Sequence, residues 1–173
     1  MMKLRYTEAA LAGMLGIMLV QGFHEIEHIV QVFQRFTFDN PKGAGILGTW
    51  IDIEPVHLAY NAGFLLLLGL AYWQAGFLGK RREQPVLFGL MTFAILFQSY
   101  HLVEHLFKIA QFIETGKNGT PGILGNTFNL VWLHFTYNTI VYSAFVAAFF
   151  VGGFHREAIG LLRPRKTGVQ KPA

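Results

Sequence analysis

Four apolar stretches, residues 9–33, 56–77, 85–111 and 128–154, limit what this 173-residue chain can fold into. Each exceeds the ~20 residues that carry a helix across ~30 Å of hydrocarbon. The runs are continuous rather than alternating, which predicts helices that satisfy their own backbone rather than barrel strands. Only 14% of residues are charged, against roughly 25% in soluble domains. The expected fold class is therefore all-α and integral to a membrane: a four-transmembrane-helix bundle. One membrane domain is expected over residues 1–162, with a flexible basic tail, 163–173, near anionic headgroups. The first stretch lacks an A-x-A-like cleavage site and is charged in its C-terminal half, so it reads as a span rather than a signal peptide. The chain has no Cys, which excludes disulfides, thiolate metal sites, iron–sulfur clusters and a Cys nucleophile.

The formal net charge is +4, but the basic residues cluster at span ends, an orientation signal rather than a nucleic-acid-binding face. Ten Lys and Arg (Lys3, Arg5, Lys80, Arg81, Arg82, Arg156, Arg163, Arg165, Lys166 and Lys171) fall on one side, and Arg35, Lys42 and Lys117 on the other. The bias predicts both termini in the cytoplasm, with the longer loops 37–52 and 114–127 facing outward from the plasma membrane of a prokaryote.

An internal repeat organises the chain. At an offset of 77, residues 21–61 match residues 98–138 at 12 of 41 ungapped positions, against about 3 expected by chance. Most identities are polar or Gly. Gln21, His24, Glu27, His28 and Gln34 align with Gln98, His101, Glu104, His105 and Gln111. Gly45-Ile46-Leu47-Gly48 aligns with Gly122-Ile123-Leu124-Gly125, and His57, Tyr60 and Asn61 with His134, Tyr137 and Asn138. Two tandem two-helix repeats, about 9–74 and 86–151, are expected to run parallel about a pseudo-two-fold axis along the membrane normal. Ala12, Gly13 and Gly16 suit close approach of the first helix to a neighbour.

Six of the seven His belong to the repeat. The first and third spans each carry His, Glu and His at i, i+3 and i+4, on one helical face. The second and fourth carry His and Asn at i and i+4. His24 lies about 17 residues, or ~26 Å, along a helix starting inside. His101 lies similarly deep, and His57 and His134 begin helices entering from outside. All six therefore meet at one level in the outer half of the bundle. Ionisable groups there cost at least ~2.5 kcal/mol each at the bilayer centre unless something compensates them, and bound cations would do so. The expected site is a dinuclear metal centre with His24, His28, His57, His101, His105 and His134 as ligands. Glu27 and Glu104 would bridge the metals or orient imidazoles, backed by Gln21, Tyr60, Asn61, Gln98, Tyr137 and Asn138. Mixed N/O donors favour iron, with zinc or copper possible. The corresponding function is a membrane oxidoreductase, oxygenase- or oxidase-like, acting on a hydrophobic or small substrate with electrons from an external donor.

Three other readings compete. Single His on transmembrane helices ligate heme or chlorophyll axially, although His pairs one turn apart crowd a flat macrocycle. A polar column of His and Glu suits proton or metal-ion transport. His24-Glu25-Ile26-Glu27-His28 reads H-E-x-x-H, which resembles the intramembrane site-2 metalloproteases and implies a zinc hydrolase with Glu25 as catalytic base. The second copy has Leu102 at that position. The paired H-x-x-x-H motifs also look like those of membrane desaturases, hydroxylases and alkane monooxygenases, which implies two irons held by His; the sequence has no H-x-x-H-H box.

The Gly-rich loop segments 43–48 and 119–125 suit tight connections or a shallow cap over the bundle, with no Gly-Lys-Ser/Thr to cradle a phosphate. Asp52 and Glu54 align with Asn129 and Val131, which makes the site electrostatically lopsided. Lys108 aligns with Gln31 and is expected to snorkel outward or pair with Glu104. His155, unrepeated at the end of the fourth span, is expected to stand outside the site.

Overall fold

The computed structural model describes residues 6–38, 40, 43–51 and 53–162. Lys3, Arg5, Lys42, Asp52 and the basic tail lie outside the described residues. The described chain is all-helical: α1 (Glu8–Phe36), α2 (Gly48–Ile51), α3 (Glu54–Gln74), α4 (Pro85–Thr115), α5 (Leu130–Val151) and α6 (Phe154–Leu162). Four of these, α1, α3, α4 and α5, are long and apolar enough to cross a membrane.

Local chemistry sets the helix ends. Thr7 caps α1, its side chain accepting from the Ala10 amide at 3.1 Å, and Asn129 caps α5 through the Val131 and Trp132 amides. Proline opens α3 and α4, where its missing N–H costs nothing. Gly116 ends α4 at φ +67°. Helices related by the 77-residue offset have similar lengths: 29 and 31 residues for α1 and α4, 21 and 22 for α3 and α5.

The four long helices form an up-down ring in which α1 packs on α3 and α5, and α4 packs on the same two. The α1–α3 seam is the most sparsely packed of the four. One half of the interior is apolar, with Met14, Phe64, Leu68, Met91 and Phe145 buried from all four helices. The short α6 closes that end: Phe154 is buried and stacks on Tyr6 at 4.0 Å, and Tyr6 donates to the Gly152 carbonyl at 3.0 Å. The other half of the interior holds Gln21, Asn61, Gln98, His101, Glu104 and Asn138, each fully buried. The exterior is studded with large exposed apolar side chains, among them Leu19, Phe23, Leu66, Trp73, Leu96 and Trp132.

Both loops at the polar end are clamped by the same chemistry at positions 77 apart. Gln34 and Gln111 each bridge a glycine, accepting from the Gly45 or Gly122 amide at 2.8 Å and donating to its carbonyl at 3.1 and 3.0 Å. Glu27 Oε1 accepts from the Leu47 and Gly48 amides, and Glu104 Oε1 from those of Ile123 and Leu124. Gly45 and Gly122 sit at φ +81° and +67°, and a Cβ on either would overlap the carboxylate below it. Only glycine satisfies both constraints.

Candidate metal centre

A spacing of four residues on a helix stacks side chains one turn apart. His24 and His28 accordingly bring their Nε2 atoms to 3.1 Å, and His101 and His105 bring theirs to 3.2 Å. α3 and α5 add one imidazole each from their first turns. The His134 ring lies 5.3 Å from His105, 6.0 Å from His101 and 6.3 Å from His28, and the His57 ring lies 5.9 Å from His105. All six repeated histidines thus form one connected cluster. Within it, His101, His105 and His134 each offer a ring nitrogen, and these atoms lie within 4.8 Å of one another. His155 stands apart, with its ring 5.0 Å from Phe150.

Amides order the cluster. Gln31 Nε2 donates to the Ala44 carbonyl, which turns Gln31 Oε1 toward His28 Nδ1 at 2.8 Å. His28 then carries its proton on Nδ1 and presents a bare Nε2, toward which Asn138 Nδ2 donates at 3.0 Å. Orientation of one ring nitrogen by an acceptor is how metal-ligating His are held; at the other nitrogen of His28 stand the Asn138 amide and His24 Nε2. Gln21 donates to Asn138 at 2.9 Å between α1 and α5, and Gln98 donates to Asn61 at 2.9 Å between α4 and α3. Asn138 and Asn61 each also donate to the carbonyl of the His one turn earlier at 2.9 Å. Tyr60 donates to Gln21 Oε1 at 3.0 Å and its ring lies 4.1 Å from His24, whereas the Tyr137 ring lies 4.9 Å from His101.

The halves differ where the sequence does. In the second half Lys108 replaces Gln31, so His105 Nδ1 lacks the acceptor that His28 has and is buried without a hydrogen-bond partner. Lys108 donates to Glu54 Oε1 at 3.1 Å and to the Thr120 carbonyl at 2.9 Å, at the border of a cavity that His105 and His134 also line. Glu54 Oε1 also accepts from the Gly119 amide at 3.1 Å. The expected Lys108–Glu104 pair is not formed: Lys108 Nζ is taken up by Glu54 and the Thr120 carbonyl. The partner is instead Glu54, which, like Lys108, has no charged counterpart in the repeat. Two opposite charges breaking the repeat were the available signal for this pair. The role of Gln31 was visible only as its i+3 spacing from His28.

The donor set fits a metal. His101 Nδ1, His105 Nδ1, His134 Nε2 and Glu104 Oε2 are all buried with no hydrogen-bond partner, and buried polar atoms are otherwise satisfied. Among the expected ligands, Glu27 and Glu104 direct one oxygen to their loops, while Glu104 Oε2 remains unpartnered. Glu25 lies on another face of α1, where it accepts from Thr139 on α5.

Two cavities flank the cluster. One, of about 160 Å³, is lined by Phe23, His24, His28, Leu47, Val56, His57 and Tyr60 with Glu27. The other, of about 180 Å³, is bordered by His28, Gln31, Glu54, His57, His105, Lys108 and His134. Glu25 lines neither. No protein-family model, curated protein or solved structure matches the chain.

Proposed function

We propose that this chain is an integral membrane metal protein built from two parallel repeats, in which the six clustered histidines hold two metal ions. The observation that carries the reading is the His101–His105–His134 trio, which offers three ring nitrogens within 4.8 Å of one another, with His101 and His105 buried and His134 partly so. Its repeat counterparts His24, His28 and His57 adjoin it through the stacked His28–His134 and His57–His105 rings, and six imidazoles are enough for two ions rather than one. Four long apolar helices and an apolar exterior support residence in the bilayer. The Lys and Arg bias supports an orientation with the cluster toward the outer face.

Imidazole and carboxylate donors without thiolate suit iron first, then zinc or copper. Iron held this way would supply one-electron chemistry, so the chain would act as an oxidoreductase on a hydrophobic or small substrate, with electrons from an external donor. The chain's own part is to hold His28 in one tautomer through Gln31 and to offset the charge of Lys108, beside the cluster, through Glu54.

The test is elemental analysis of protein purified from membranes without metal-affinity steps. About two ions per chain are expected, falling in His134→Ala and in His24→Ala, while His155→Ala keeps both. Fewer than about one ion per chain, with no bound chromophore, would overturn the proposal.

A further inference from the structure

The α1–α3 seam contains a cleft whose occupant can be argued from chemistry. A cavity of about 200 Å³ is lined by Ile17, Val20, Ala59, Tyr60, Gly63, Phe64 and Leu67. It meets the cavity beneath His24 and His57 at Tyr60, which lines both. Leu67 to Tyr60 spans seven residues of α3, about 10 Å, and the imidazoles of His24 and His57 border the neighbouring cavity that Tyr60 also lines.

The repeat shows what differs at the equivalent seam of the other half. Gly63 aligns with Ile140, and Val20 with Phe97. In the second half Phe97 packs on Tyr137, ring to ring at 5.8 Å, and the α4–α5 seam is dense. In the first half those side chains are missing, and a Cβ on Gly63 would meet nothing within 4 Å. The cleft is therefore the volume that the duplicated half fills with its own Phe and Ile.

Its chemistry selects the guest. Apolar cavities of about 150 Å³ stay dry and take apolar guests, so the walls of Ile17, Phe64 and Leu67 call for hydrocarbon rather than water. The polar atoms are gathered at one end, in the Tyr60 hydroxyl and the imidazoles of His24 and His57. We propose that the α1–α3 cleft binds a single-chain alkyl amphiphile entering sideways from the bilayer, its polar end at Tyr60 and the His24–His57 side of the cluster. This names the substrate class and the open face of the metal centre, and rests on the metal reading for its catalytic meaning only. In the second half the equivalent seam carries Phe97 packed on Tyr137.

The test uses the full chain in nanodiscs of two-chain phospholipid, so that no detergent competes. A long-chain alcohol carrying a diazirine is photolysed in the sample, and labelled residues are mapped by mass spectrometry. The expected result is labelling concentrated on Ile17, Gly63, Phe64 and Leu67, above that of lipid-facing Leu96 and Phe93. Gly63→Ile and Val20→Phe copy residues the second half already carries. An Ile side chain would displace about two methylenes of the guest, equivalent to about ten-fold in occupancy. Each variant should therefore lose cleft labelling about ten-fold while metal content and labelling of Leu96 stay unchanged. Uniform labelling of all lipid-facing positions, or cleft labelling indifferent to both variants, would overturn the proposal. Cleft labelling that behaves as expected in a protein without metal would uphold the amphiphile site and refute the metal centre instead.

Discussion

Neutralising Glu54 should unfold this bundle more readily than almost any other single exchange outside the apolar core. Glu54 and Lys108 are about 4% and 3% exposed, with Nζ and Oε1 3.1 Å apart. At an effective dielectric of about 20 their attraction is about 5 kcal/mol. Removing one partner of a buried pair costs on the order of 3–5 kcal/mol, because the other charge is stranded. Glu54→Gln leaves an amide oxygen that can still accept from Lys108 but strands the buried ammonium without a counter-charge, and lies in that range. The double variant Glu54→Val/Lys108→Gln installs the residues found at the repeat-related positions 131 and 31. It removes both charges and gives His105 Nδ1 an amide acceptor. Its cost should be under about 2 kcal/mol, well below the sum of the single exchanges. Reversible unfolding in bicelles titrated with SDS, applied to the four members of the cycle, measures the coupling. A coupling below about 1 kcal/mol, or a double variant as unstable as the sum of the singles, would refute the argument that this pair is buried and mutually dependent.

Other perturbations test separate parts of the structure. Gly45→Ala and Gly122→Ala each force a Cβ onto a positive-φ backbone and against a carboxylate, so each should cost on the order of 1–3 kcal/mol from the backbone alone; Gly89→Ala, in open space on α4, should be neutral or slightly stabilising in the same unfolding assay. Gln31→Leu removes the acceptor of His28 Nδ1 and should weaken binding of one of two metal ions about 10–100-fold in a competition titration with a chelator. Glu25→Gln should leave both metal stoichiometry and activity unchanged, since Glu25 bonds Thr139 and lines neither cavity beside the cluster; loss of activity with the metal retained would restore the H-E-x-x-H reading. Gln98→Leu strands Asn61 Oδ1 in the interior and should cost about 1–3 kcal/mol of stability.

Much of this arrangement was legible in the chain because periodicity and repetition act locally. Hydrophobic run length specified four long helices, and the i, i+4 spacing put each His pair on one face before any tertiary contact was known. The offset of 77 also marked Glu27, Gln34 and Gly45 as important without revealing why. Their shared purpose, clamping a loop through a carboxylate, an amide and a positive-φ glycine, depends on a chain reversal that brings residues about a dozen to twenty apart into contact. Reading Glu27 and Glu104 as ligands missed this use of their Oε1 atoms, since a carboxylate beside two His looks the same in sequence whichever way it points.

The sequence by itself determined the four apolar helices, the two His-x-x-Glu-His faces and the positions at which the halves differ. Those follow from transfer free energy and helical geometry, which each segment carries with it. Only the tertiary structure decided that Lys108 pairs with Glu54 rather than Glu104, that Gln31 orients His28, and that Gly63 and Val20 leave a cleft where Ile140 and Phe97 have counterparts. Each of these depends on which helix lies opposite, and how closely. The choice of partner is made when all the buried polar atoms and side-chain volumes of the bundle are satisfied together, and no single segment contains that information.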